Sequence, residues 1–327
     1  MSVPTTPPRH RARHLVTISA LLAALTGLSP GRAEAGSLSG RQVLVYHACD
    51  VPPCADPRSH MVYLATSNGS RRFAVPDDWE AYAGSVPDVV VRDQTVYVYT
   101  ARELRRGIDR GARWLAPEAL EVRTASGEVF QGVDPSAIVV GGRLYLYLME
   151  GATGRDPARC APGEKSCVKR FFVGREVQGS NGARFVLDSA PALEVPIAGT
   201  GDTASDPDVF DLPGGGFGLL ISRGMAIDAY TSTTPTGPWT PLGRLVEQGG
   251  GGVPSAVATR HGLWLYVTAR DPATGVESIR RARLDDLGEV VDPRRFRTIY
   301  PGVWGRAAVS SPSVALTAPD PPATPAP

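Results

Sequence analysis

Ser205-Asp206-Pro207-Asp208-Val209-Phe210 sets a proline at the opening of a short β-rich run. The arrangement returns four more times, as Val86-Pro87-Asp88-Val89-Val90, Asp134-Pro135-Ser136-Ala137-Ile138, Val253-Pro254-Ser255-Ala256-Val257 and Ser311-Pro312-Ser313-Val314-Ala315. Measured from the residue before each proline, the successive steps are 48, 72, 47 and 58 residues. Self-similarity at intervals of a few tens of residues is the mark of a repeat architecture. Proline fits the first position of a strand because no ladder donor is needed there.

Four of the five proline strands lead through a turn signal into a second strand of alternating apolar and aromatic residues. Thr95-Val96-Tyr97-Val98-Tyr99 follows Arg92-Asp93-Gln94, and Arg143-Leu144-Tyr145-Leu146-Tyr147-Leu148 follows Gly141-Gly142. Phe217-Gly218-Leu219-Leu220-Ile221 follows Pro213-Gly214-Gly215-Gly216, and Leu263-Trp264-Leu265-Tyr266-Val267 follows His261-Gly262. Third strands are traceable at Phe171–Gly174 and Ala226–Tyr230. Long amphipathic helices are absent, and only Pro117–Val122 and Asp285–Gly288 hint at a helical turn.

Three or four strands in each of five units predict an all-β, five-bladed β-propeller; the alternative is an open β-sandwich. The fifth unit, Ser311–Leu316, has no room for a hairpin. Near the other end, Gln42–Tyr46 and His60–Thr66 read as second and third strands without a first. The C-terminal strand is therefore expected to pair with the N-terminal strands and close the ring, which removes an exposed edge.

The first 35 residues stand apart. Arg9, His10, Arg11, Arg13 and His14 precede an apolar run, Leu15–Leu28, and then Ala33-Glu34-Ala35. This order reads as a secretory signal peptide at 1–35, with a membrane anchor as the alternative; the run is short for a bilayer span. The expected domain is 36–317, followed by a Pro-rich unstructured tail at 318–327. Export to the periplasm or medium gives four cysteines a role as two local disulfides, Cys49 with Cys54 and Cys160 with Cys167. Zinc is the competing reading, although neither pair has C-x-x-C spacing.

Lys+Arg number 34 against Asp+Glu 33, and no basic stripe follows the signal peptide, so nucleic acid is not an expected partner. No cofactor, bound metal or membrane span is implied for the mature chain, which is expected to be a monomer taking a glycan or other small-molecule ligand in a central funnel.

The repeat pattern over about residues 40–317 resembles the five-bladed glycoside hydrolases of the arabinanase and β-xylosidase type. The resemblance implies that the residue before each strand-opening proline faces the substrate. It also implies a base Asp in the first blade, an Asp tuning the acid's pKa in the third, and an acid Glu in a Glu-Gly-Pro-like stretch of the fourth. Such chemistry needs one protonated and one ionised carboxyl flanking the glycosidic bond.

Carried over, Asp206 fills the third-blade position. Val86 stands at the base position with Asp88 two residues on, Gly251-Gly252-Val253-Pro254 carries no Glu, and Asp134 is an additional carboxylate in the second blade. Asp134 and Asp206 are thus the catalytic candidates, while each also suits a turn-capping role before proline. Glu150 is a candidate surrogate acid. Asp88, Asp208, Arg102, Arg223 and Arg270 are candidate substrate-binding residues; the arginines either cross the funnel to a ligand carboxylate or pair with neighbouring Asp side chains.

The remaining features read as structural. Ser67-Asn68-Gly69 and Ser180-Asn181-Gly182 resemble degenerate Asp-box turns on the outer rim. His47 is expected at the surface, and Gly249–Gly252 as a flexible connector without a phosphate-loop Lys. A non-catalytic propeller that binds carbohydrate or protein is the alternative to a hydrolase, since function resides in sites and not in folds.

Overall fold

A computed structural model describes residues 42–50, 56–151, 168–197, 202–259, 261–300 and 308–317, all within the unit Ala35–Pro327. These residues form five sheets, antiparallel in their four successive strands, arranged as the blades of a propeller. Blade I holds Asp88–Arg92, Thr95–Tyr99, Glu103–Ile108 and Arg113–Trp114, and blade II holds Gly132–Val140, Arg143–Glu150, Val168–Glu176 and Arg184–Leu187. Blade III holds Ser205–Asp211, Phe217–Ser222, Ile227–Ser232 and Thr240–Val246, and blade IV holds Gly252–Thr259, Gly262–Arg270, Glu277–Leu284 and Arg297–Thr298. Blade V begins with the C-terminal strand Ala308–Leu316, which pairs antiparallel with Gln42–Cys49, followed by Met61–Ser67 and Tyr82–Ala83. The expected closure is therefore the observed one.

The alternation in the second strands has a physical meaning that polarity alone does not reveal. Each blade is sandwiched between two others, so both faces of its inner strands are buried. In Thr95–Tyr99, Val96 and Val98 pack towards blade V while Tyr97 and Tyr99 pack towards blade II. Leu144, Leu146 and Leu148 likewise face blade I, and Tyr147 faces blade III. Leu265 and Val267 face blade III, and Tyr266 faces blade V. The apolar core is accordingly divided into five seams, one between each pair of adjacent blades.

A belt of hydrogen bonds ties the innermost strands together. The residue after each proline accepts from a backbone N–H of the next blade. Ala137 N donates to Asp88 Oδ2 at 2.8 Å, Val209 N to Ser136 Oγ at 2.9 Å, and Ala256 N to Asp208 Oδ2 at 2.7 Å. Val314 N donates to Ser255 Oγ at 3.0 Å and Val89 N to Ser313 Oγ at 2.9 Å, completing the circuit. Each such bond contributes about 1 kcal/mol net, but losing the acceptor strands a buried donor at a cost of about 1–3 kcal/mol.

The residue before each proline takes the left-handed conformation, with φ of +46° at Val86, +52° at Asp134, +46° at Asp206, +46° at Val253 and +53° at Ser311. Few non-glycine residues adopt this region, and a β-branched valine there is strained. The surroundings hold it: Val253 N donates to Ser222 Oγ at 3.1 Å, Ser311 N to Thr268 Oγ1 at 2.9 Å, and Val86 N to His47 Nδ1 at 3.4 Å.

Three sequence expectations need correction. His47 is not a surface residue: it is 4% exposed and stacks on His60 with ring centroids 3.9 Å apart, filling the slot that Ser222 and Thr268 occupy elsewhere. Pro117–Val122 is not a helical turn but holds strand Glu118–Ala119 and the start of Glu121–Arg123, the latter pairing in parallel with Arg184–Val186. Gly249–Gly252 is not a loose connector. Gly249 and Gly251 donate to Met225 O, and Gly252 opens the first strand of blade IV with the Gly224 backbone pressed against it.

Candidate functional site

The five left-handed residues form one ring at the strand openings, and only two of them, Asp134 and Asp206, bear charge. Both are half-buried. They stand on adjacent blades, and Asp206 N–H donates to Asp134 Oδ2 at 3.4 Å. The Ser205 hydroxyl donates to Asp206 Oδ2 at 2.6 Å.

Burial raises the pKa of both carboxyls, because withdrawing a carboxylate from water disfavours its charged form. At Asp134 the charge of Asp206 adds to the burial effect, while the Asp206 N–H bond and the Lys169 ammonium oppose it. At Asp206 burial is opposed by the Ser205 hydroxyl. The two residues meet through the Asp206 N–H and Asp134 Oδ2, and the charge of Asp206 couples the proton affinity of one carboxyl to the other. Ser205 favours the ionised form of Asp206, and burial favours the neutral form of Asp134.

The other positions of the ring carry no acid. At Val86 the backbone is bound by His47, whose pKa is lowered to about 3, first by burial and then by His60; its imidazole is neutral. His60 Nδ1 lies 2.8 Å from Ser85 Oγ. In blade IV a Cβ at Gly252 would stand 1.8 Å from Gly224 O. No acidic side chain fits there unless the Gly224 backbone moves.

Asp88 and Asp208 lie in the hydrogen-bonded belt beneath the ring. Both are buried, at 5% and 6% exposure. Asp88 accepts from Ser313 Oγ at 2.8 Å as well as from Ala137 N, and burial pushes its pKa up to about 6. Asp208 is raised further by burial and by the charge of Asp88. On the side of the belt towards the hairpin turns, an axial cavity of about 500 Å³ runs from Asp88 and Asp208 to Asp93 and Asp211 between all five innermost strands.

Arg223 is 12% exposed and held by Asp202 at 2.6 Å, with Asp228 at 3.7 Å. Arg270 pairs with Glu277 at 2.8 Å. Arg102 is exposed. Glu150 lies 3.6 Å from Arg170, which also binds Glu194 at 3.1 Å. Cys49 is buried at the end of its strand, while Cys54, Cys160 and Cys167 lie outside the described residues. The ring thus brings Asp134 and Asp206 together, the belt holds Asp88 and Asp208, and the three arginines lie on separate blades.

Sequence reading passed over Lys169, Ser205 and the His47–His60 stack. For Lys169 a signal existed: of 34 basic Lys and Arg residues, only Lys165 and Lys169 are lysines. No comparable signal marks His47, because its role depends on a neighbour 39 positions away.

No protein-family model matches the chain, and no curated protein matches it. Solved structures do. The crystal structure of a GH43_1 enzyme from Xanthomonas citri is similar over 84% of this chain and 92% of its own, with 17% identity and a TM-score of 0.53. The same enzyme complexed with xylotriose gives 84% and 91% coverage, 19% identity and a TM-score of 0.53. A glycoside hydrolase family 43 arabinoxylan arabinofuranohydrolase from Bacillus subtilis, in complex with cellotetraose, covers 80% of this chain and 64% of its own, at 14% identity and a TM-score of 0.52. At these identities the similarity establishes the shared five-bladed fold.

Proposed function

We propose that the chain is an exported, carbohydrate-active propeller of glycosidase type that takes a glycan at the strand-opening ring, with Asp134 and Asp206 as its reacting carboxyls. The observation that carries the reading is the contact between these two residues, with their raised proton affinity, in a ring whose other members are uncharged. The protonated Asp134 supplies a proton to the leaving glycosidic oxygen, and the ionised Asp206 supplies the base or stabilises developing positive charge. Structural neighbours solved with xylotriose and cellotetraose support a sugar ligand. On this reading Arg102 is the exposed arginine available to the ligand, Arg223 and Arg270 act through their ion pairs with Asp202 and Glu277, and Asp88 and Asp208 form the floor.

A second reading, a propeller that binds glycan without cleaving it, draws on one specific observation: Val86 and the crowded Gly252 leave no acid at two of the positions used by the enzymes this chain resembles. A panel of aryl glycosides and plant or microbial polysaccharides separates the two. Hydrolysis by the wild type, lost in Asp206→Asn and Asp134→Asn, supports the enzyme. Turnover unchanged by Asp206→Asn removes that residue from catalysis, and saturable binding without turnover establishes the second reading. Signal-peptide removal after Ala35, the two cysteine pairings and a monomeric state belong to the same proposal; N-terminal sequencing and intact mass of the exported protein test the first two.

A further inference from the structure

Ser85 lies in the segment that enters blade I, one residue before the left-handed Val86. Three contacts tie this segment to two histidines of blade V. Gly84 N donates to His60 O at 3.1 Å, Ser85 Oγ lies 2.8 Å from His60 Nδ1, and Val86 N donates to His47 Nδ1 at 3.4 Å. The two imidazoles stack with centroids 3.9 Å apart and planes 11° from parallel. His60 immediately precedes the strand Met61–Ser67 and is buried, while Ser85 is half-buried.

Serine precedes the left-handed residue in three of the five blades, at Ser85, Ser205 and Ser310. Ser205 donates to the Asp206 carboxyl, and Ser310 meets the Thr268 hydroxyl at 3.1 Å. Of the three, Ser85 is the one set against a nitrogen base. The chain has five His; His10 and His14 fall within the first 35 residues, and two of the other three meet at this one opening. A hydroxyl becomes a nucleophile when a base within hydrogen-bond reach takes its proton and a third group holds that base in place. His60 Nδ1 is within reach, and the stacked His47 ring, itself bonded to the Val86 N–H, holds His60. The same N–H supplies a further part. In acyl-transfer sites the N–H of the residue after the nucleophile stabilises the oxyanion, and at 3.4 Å the Val86 donor is only weakly engaged by His47.

We propose that Ser85 and His60 form a second reactive centre, a nucleophile–base pair that cleaves carboxylic esters, with O-acyl groups on sugar hydroxyls as its substrates. The Ser85 hydroxyl donates to His60 Nδ1, whose proton then sits on Nε2. As the Ser85 oxygen attacks the acyl carbon, its proton passes to His60 Nδ1. The bond from the acyl carbon to the sugar oxygen breaks, and that proton goes to the departing sugar hydroxyl. Water, deprotonated by His60 in turn, attacks the Ser85 ester, releases the carboxylic acid and restores the serine. Water is the sole co-reactant, and neither Asp134 nor Asp206 takes part. The choice of a sugar ester rests on the reading of the ring as a glycan site; ester cleavage itself does not.

Two readouts test the pair. A fluorophosphonate probe should add covalently to Ser85, located by intact mass and peptide mapping, and p-nitrophenyl acetate and an O-acetylated oligosaccharide should be hydrolysed. Ser85→Ala, which removes one oxygen and leaves the imidazole stack in place, should abolish the adduct and lower ester turnover by at least about 100-fold. His60→Gln should lower both to the same extent; where its urea midpoint shows a folding defect, Ser85→Ala decides alone. A wild type without ester turnover, an adduct formed elsewhere than Ser85, or turnover that survives Ser85→Ala or a folded His60→Gln overturns the inference. Cleavage of p-nitrophenyl acetate with the expected pattern, in a protein that neither binds nor cleaves any glycan, leaves the pair standing and removes the sugar from both readings.

Discussion

Replacing Asp88 separates two contributions that the belt combines. The carboxyl is fully buried and accepts from Ala137 N at 2.8 Å and Ser313 Oγ at 2.8 Å, and its pKa moves from 3.8 to about 6. A pKa raised on folding means that the folded state holds the proton more tightly than the unfolded chain. The associated stability is complete below about pH 4 and is lost as the pH rises through about 6, a shift of two units worth about 3 kcal/mol. The equivalent positions of three other blades hold Ser136, Ser255 and Ser313, whose hydroxyls accept from the next blade at 2.9–3.0 Å. Asp88→Ser thus keeps an acceptor while removing the titrating group. It should match or exceed wild-type stability at about pH 7.5 and lose that advantage at about pH 4. Asp88→Ala leaves the Ala137 N–H without its acceptor and should be about 1–3 kcal/mol less stable than Asp88→Ser at both pH values. Urea unfolding midpoints at the two pH values give all three comparisons. A stability difference between wild type and Asp88→Ser that does not change with pH would refute the reasoning, as would an alanine variant equal to serine.

Two further outcomes follow from the seams. His47 has the opposite sign: its pKa falls from 6.5 to about 3 on folding, so its contribution is present above about pH 6.5 and is lost as the pH falls towards 3, up to about 5 kcal/mol; His47→Ser, copying Ser222, should make acid unfolding in a pH-jump titration less steep. Arg92 and Glu176 form a 2.5 Å ion pair across the blade I–blade II seam, 13% and 9% exposed, in which Glu176 also accepts from Gly182 N and Leu144 N. Arg92→Met should cost about 3 kcal/mol in denaturant unfolding by leaving a buried carboxylate unpaired, and a loss below about 1 kcal/mol would show that solvent reaches it.

The ring was legible in the sequence because its causes are local or strictly repeated. A proline opening a strand, a turn signal and an apolar–aromatic alternation each act over a few residues, and their fivefold return yields the blade count. The closing strand was legible because Ser311–Leu316 lacks a hairpin partner of its own. What escaped depends on contacts between blades. His47 reads as an ordinary polar residue until Val86, on the next blade, is known to need an acceptor for a left-handed N–H. Gly252 reads as part of a soft glycine run until the Gly224 backbone is found to occupy the space of its Cβ. Pro117–Val122 has helix-compatible residues, but an edge of blade II was available for pairing. At the candidate site, Asp134 and Asp206 were legible through the proline repeat, whereas the Ser205 hydroxyl that donates to Asp206 is marked by no motif.

The scaffold of the ring does not depend on its acids. Val86 and Val253 hold the same left-handed backbone as Asp134 and Asp206, φ near +50° in every case, although a valine side chain gives nothing back for the strain. That strain is of order 1–3 kcal/mol per residue. What maintains it is supplied from below and beside the ring: the N–H of each valine finds an acceptor on the preceding blade, and the residue two positions on from each valine is locked by the belt. A carboxylate can therefore be gained or lost at a strand opening without altering the path of the chain. This accounts for a propeller that keeps five equivalent strand openings while placing charge at two adjacent ones. The charged openings are those of blades II and III, where the Asp206 N–H donates to Asp134 Oδ2 and joins the two adjacent blades at the ring.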